Sequence, residues 1–166
     1  MAELRLRQEE AKLLYLAVAY HLGRPGSELD PATKQPVEHG LAEVARDLQP
    51  QLRLATASIE LREGQIARLS SGMLGSITEL KAYPMLELRA VGEGGESGGP
   101  RSTVPGFDAT LRHLYPAVEA DVDAAVELAA HMLALKRRLD AALAGAAAPA
   151  AEPDEPRKRR WWPLGR

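Results

Sequence analysis

The sequence predicts an all-α fold, an up-and-down bundle of about four helices, on three observations. The 166 residues include one Phe, four Tyr and two Trp, and both Trp lie in the last six positions, so the core is left to Leu, Ala, Val, Ile and Met. Leu and Ala favour helix, while the strand-favouring Val, Ile and Thr are sparse. Apolar residues also recur at helical spacing in several stretches, and Pro and Gly fall at their boundaries.

Taken in order, Leu4, Ala11, Leu14, Val18 and Leu22 place a first helix over Glu3 to Leu22, with Arg5, Glu9, Glu10 and Lys12 on its polar side. Its second half is apolar nearly all round and is expected to be the more buried part. Gly23 suits the helix-ending position, and Pro25-Gly26 turns the chain. Asp30-Pro31 is placed to cap a short helical turn in the linker that follows. Pro36 then suits the first position of a second helix, whose Val37, Leu41, Val44, Ala45 and Leu48 share one face before Pro50 closes it.

From Pro50 to Tyr83, Leu52, Ile59, Ile66, Met73 and Leu80 are spaced by seven, and Leu69 falls in the second column. This predicts a long third helix with a packing seam at Leu52, Ile59, Ile66, Leu69, Met73 and Leu80. The seam serves either packing within one bundle or self-association as a coiled coil. Ser70, Ser71, Gly72, Gly75 and Ser76 interrupt it, either to let a neighbouring helix come close or to divide the element. The stretch Met85 to Val91 fits a helical turn or a strand equally. The Gly-rich segment within 92–106 reads as a mobile loop. It lacks the Lys-Ser/Thr pair of a phosphate loop, and Glu93 and Glu96 would repel phosphate.

Asp108 is placed as the N-cap of a last helical region, interrupted or kinked at Pro116. Its stripe is Val118, Val122, Ala125, Ala129, Met132, Leu139 and Leu143. Asp121, Asp123 and Glu127 near its start and Lys136, Arg137 and Arg138 near its end suit the helix dipole. The organisation expected is a helical domain over 1–145, an Ala/Pro/acidic linker over 146–156 and a basic-aromatic tail over 157–166.

Functional chemistry is concentrated in that tail. Residues 157–166 hold five basic and no acidic residues, leaving sixteen basic against twenty-three acidic residues elsewhere, a net of −7 for the rest of the chain. Affinity for nucleic acid comes chiefly from neutralising phosphates, so a polyanion would have to be gripped by the tail. Arg157, Lys158, Arg159, Arg160, Trp161, Trp162 and Leu164 allow three mechanisms. The cations attract anionic headgroups while the indoles settle at a membrane interface. Alternatively, the Trp rings stack on unpaired bases of a nucleic acid, or the peptide docks into a protein pocket through Trp and Arg anchors.

No cysteine is present, which excludes disulfides, thiolate ligands and a cysteine nucleophile. Among the histidines His21, His39, His113 and His131, only His131 has a carboxylate, Glu127, four residues before it on a helix. A metal site needs three or four donors, so neither a metal nor another cofactor is expected, and no catalytic residue is assigned. Phosphotransfer at His131 or a bundle enzyme built around it is the remaining enzymatic alternative. The longest apolar stretch, Leu13 to Tyr20, is shorter than the ~20 residues of a membrane span, and no leader precedes it. The excess of Arg over Lys, with abundant Ala, Gly and Pro, is typical of GC-rich bacterial genomes. The reading reached is a cytoplasmic, non-enzymatic adaptor or structural subunit, able to lie at the inner membrane surface. It would form a homo-oligomer or bind a protein partner through helix faces, and attach to a second surface by the tail.

Overall fold

A computed structural model describes residues 1–30, 32–37, 40–92 and 102–147, with the backbone alone given at 87–92, 105, 143 and 145–147. The chain is mostly helical, with a small sheet: β1 (Ala2–Arg7), α1 (Gln8–Gly23), α2 (Leu41–Leu48), β2 (Thr56–Leu61), α3 (Glu63–Gly92), α4 (Pro105–Leu114), α5 (Ala117–Ala120) and α6 (Ala124–Ala147). The all-α expectation is therefore corrected by a two-stranded antiparallel sheet. Residues 2–7 are a strand rather than the first turns of a helix, and 50–83 do not form one helix.

Both strands alternate. Leu4 and Leu6 on β1, and Ala57, Ile59 and Leu61 on β2, point into the core, while Glu3, Arg5, Thr56, Ser58 and Glu60 face out. The pairing runs from Ala2 opposite Leu61 to Arg7 opposite Thr56. Each strand feeds directly into a helix through the same device. The backbone N–H of Arg7 donates to Glu10 Oε2 at 2.8 Å, and that of Arg62 donates to Gln65 Oε1 at 2.9 Å. This is half of a capping box, satisfying a donor that the first helical turn cannot.

The two units are repeats of one another. The shift that carries Arg7 onto Arg62 also carries Leu6 onto Leu61, Ala11 onto Ile66, Leu14 onto Leu69 and Val18 onto Met73, all buried. Applied to the pairing of Ala2 with Leu61, the shift returns the pairing of Ala57 with Leu6, and it exchanges Leu4 with Ile59. A local two-fold axis thus passes between Leu4 and Ile59. The helices obey it as well: an added Cβ at Gly72 would lie 3.1 Å from the carbonyl oxygen of Ala17, its counterpart. Gly72 and Gly75 therefore serve close approach of α1 and do not divide α3.

Both outer edges of the sheet are occupied by side chains. Gln51, in a 3-10 turn over Gln49–Gln51, donates to Ser58 O at 3.1 Å and accepts from Ser58 N–H at 3.0 Å, as a third strand would. Arg138 Nη2 donates to Arg5 O at 3.1 Å on the other edge. Exposed edges invite pairing with other chains. Gln51→Ala is therefore expected to cost about 1 kcal/mol through the lost pair of bonds and to raise self-association, read by urea denaturation and light scattering.

α1 is the central element, packed by α2, α3 and α4 and by the sheet, and Leu13, Leu14, Leu16, Ala17 and Val18 are buried all round it as expected. α4 covers α1, and α6 covers α3. Other boundaries depart from expectation. α2 begins after Gly40, and Pro36 instead bridges to Leu29 in the preceding loop. In that loop Asp30 accepts from the N–H groups of Ala32 and Thr33. Pro84 lies inside α3, which continues to Gly92, so 85–91 are helical although Leu80 O loses its usual donor. α4 starts at Pro105, inside the expected loop, with Val104 as N-cap. Asp108 stands within the first turns of the helix and is buried there.

Candidate functional site between the first and last helices

Because α6 lies along α3 and only lightly against α1, a groove of about 740 Å³ opens between the start of α1 and the middle of α6. Its floor is apolar, from Leu13 on α1 and Leu128 and Leu135 on α6. Tyr115 ends α4 in non-helical backbone (φ −135°, ψ 67°) and stands at one side. Its hydroxyl donates to Glu9 O at 3.4 Å, and Lys12 Nζ lies 5.8 Å from its ring centre. Burial, with Glu9 adding to it, pushes the phenol well above its ordinary pKa, so Tyr115 stays neutral. Beyond Tyr115 a second cleft of about 630 Å³ is lined by Lys12, Tyr15, Leu52, Arg53 and His113.

The end of the groove nearest the sheet is charged. Arg138 on α6 pairs with Glu10 on α1, and Arg7 projects beside them. Burial pushes the Glu10 carboxyl up, but the Arg7 N–H and the Arg138 and Arg7 cations outweigh it and hold the carboxyl below its usual value. Asp140, one turn past Lys136, is held low by the Lys136 ammonium and the Ser70 hydroxyl, at 2.6 Å and 2.8 Å, joining α6 to α3. A depressed carboxylate contributes stability that is full above its unfolded pKa and is lost as pH falls through the folded value. The thermal midpoint is thus expected to hold from neutrality down to the carboxylate range and to fall below about pH 4. Glu10→Gln should flatten that acid limb.

The predicted residues are distributed as follows. Ile66, Leu69, Met73 and Leu80 are buried on α3, inside the chain's own core. Ile59 is buried in β2, and Leu52 is partly buried after the 3-10 turn, so the column of seven crosses three elements. His131 and Glu127 are exposed on α6, with His131 on the groove wall. His21 Nε2 lies 2.9 Å from Glu28 Oε1. Among the described residues no group of three or more His, Asp or Glu is placed to hold a metal ion. None of their helices is long and apolar enough to cross a membrane. Arg157, Lys158, Arg159, Arg160, Trp161, Trp162 and Leu164, the linker end 148–156, His39 and most of the Gly-rich loop lie outside the described residues.

Sequence reasoning missed Arg7, Glu10 and Arg138. Glu10 and Arg138 are 128 positions apart, beyond any local pattern. The recurrence of Arg-x-x-Glu at Arg7 and Arg-x-x-Gln at Arg62, each after an alternating stretch, is the signal that marks the junction. No protein-family model, curated protein or solved structure matches the chain.

Proposed function

We propose that this chain is a non-enzymatic helical adaptor. Its helical body self-associates or binds a protein partner, and its C-terminal peptide attaches to an anionic membrane surface. The observation that supports this is the division of charge: five cations and both tryptophans stand in 157–166, against a net of −7 in the rest. Each cation near an anionic bilayer contributes about 1 kcal/mol, and the paired indoles of Trp161 and Trp162 suit the interfacial zone. α6 extends to Ala147, and the nine residues from 148 to 156 could span up to ~30 Å when extended, enough for the tail to work away from the body.

Co-sedimentation with vesicles rich in anionic lipid tests the reading. The full chain should pellet, the chain ending at residue 156 should stay in the supernatant, and rising salt should release the former. Equal pelleting of both chains contradicts the proposal. A tail-dependent shift by single-stranded oligonucleotides, with no vesicle binding, would assign the tail to nucleic acid instead.

A further inference from the structure

The internal repeat places equivalent clefts at the two strand-to-helix junctions. At the first, Arg5, Arg7, Glu10 and Arg138 surround Thr56. At the second, Glu60, Arg62, Gln65 and Glu43 surround Met1, the counterpart of Thr56. The backbone frame is shared but the excess of positive charge is not: Arg5 becomes Glu60, and Glu43, Arg46 and Asp47 line the second cleft where Arg138 lines the first. The first junction is also continuous with the 740 Å³ apolar groove, through Arg7, Glu10 and Arg138.

Charges around the groove nearly cancel in pairs. Glu9 bonds Lys12 at 2.7 Å, Arg5 pairs with Glu3 at 3.3 Å, and Glu10 pairs with Arg138. Arg7 and Arg138 together face the single carboxylate of Glu10, leaving one net positive charge at the mouth of an apolar trough. That balance fits a monoanion on an apolar body. It disfavours the chain's own Arg157 to Arg160, which would meet like charge. The volume lies within the range of small-molecule sites, roughly 300–1,000 Å³. A guanidinium fork matches a carboxylate in geometry as well as in charge.

We propose that this groove binds a medium-chain fatty carboxylate, its acyl chain over Leu13, Leu128 and Leu135 and its carboxylate held by Arg7 beside the Glu10–Arg138 pair. The site goes beyond the adaptor reading and does not depend on the tail. From Leu128 to Arg138 the trough follows α6 for ~15 Å at 1.5 Å per residue, so the ligand lies along the helix.

Calorimetric titration of the full chain with decanoate, below its micellar range, tests the site. Saturable binding of one decanoate per chain is expected, with decyltrimethylammonium at least about tenfold weaker. Arg7→Gln should weaken decanoate about tenfold, the worth of one charge-assisted bond. Ala134→Trp, at an exposed position on the groove wall, should remove saturable binding. Circular dichroism checks that both variants remain folded. Equal affinity for the cationic probe, absence of saturable binding, or decanoate binding unchanged by both variants would each overturn the proposal. The last would place the ligand on the tail, which both variants retain. Because vesicle binding is read by truncation and decanoate binding by groove variants, each proposal can fail without the other.

Discussion

Asp108→Ala is expected to lower the free energy of unfolding by about 3 kcal/mol, the low end of the cost of breaking a buried ion pair. Asp108 sits inside α4 with its side chain 8% exposed. One carboxylate oxygen accepts from the buried Tyr83 hydroxyl of α3 at 3.2 Å, and the other lies 3.1 Å from Arg112 Nε. Arg112 in turn reaches to within 3.9 Å of Glu119 on α5. A single carboxylate therefore fastens α4 to α3 and neutralises a guanidinium that is only 22% exposed. Alanine would remove the nearest counter-charge of that cation and one partner of the phenol, leaving Arg112 with Glu119 and Tyr83. The low end of the range applies because Arg112 keeps some contact with solvent. Tyr83→Phe removes the hydroxyl's hydrogen bonds with Asp108 and Arg112 and leaves the ion pair, so its cost should be about 1–2 kcal/mol. Urea denaturation of the two variants measures the difference. Equal costs would show that the ion pair does not hold α4.

Gly72→Leu should destabilise by about 2–3 kcal/mol, through overpacking at a point where backbone meets backbone. A Cβ at Gly72 already lies 3.1 Å from Ala17 O, and the rest of a leucine side chain would have to displace α1. One turn along α3, a Cβ at Gly75 would fall 2.1 Å from Tyr20 Cε1. Tyr20 meets Phe107 edge-on at 5.6 Å, so α4 would be disturbed in turn. The same helix supplies the opposite sign. Gly64, in the first turn of α3, has nothing within 4 Å of its Cβ position. Gly64→Ala should therefore stabilise by about 0.5–1 kcal/mol, through the unfolded chain's lost freedom. Thermal melts should separate the two substitutions in direction as well as size.

The error over the strands has a physical origin. In each repeat the inward strand residue, Leu4 or Ile59, stands seven positions before the first buried apolar residue of the helix, Ala11 or Ile66. A strand that passes straight into a helix thus imitates a heptad. The five-residue alternation in ELRLR, and that in ASIEL, was legible but short, and helical spacing absorbed it. What survived is what periodicity can carry: the middle of α1 buried from Leu13 to Val18 but for Tyr15, Leu41, Val44 and Leu48 on one face, and Ala125, Ala129, Met132 and Leu139 on another. The stretch Met85 to Val91 stayed open between turn and strand because a proline before it usually ends a helix, whereas α3 continues past Pro84 and leaves Leu80 O without its usual donor. The groove was not legible, since it depends on which helices diverge and on an ion pair between distant parts of the chain. The tail was legible as composition, because its charge and its tryptophans stand apart from everything before them.

That composition also provides the probe. Trp161 and Trp162 are the only tryptophans, so tryptophan emission from the intact chain reports on the tail alone. On addition of anionic vesicles, the emission is predicted to shift to the blue as the indoles leave water for the bilayer interface, with no shift on zwitterionic vesicles of the same size. An emission maximum that stays fixed through a full titration with anionic vesicles would contradict attachment of this protein to membranes by its C-terminal peptide.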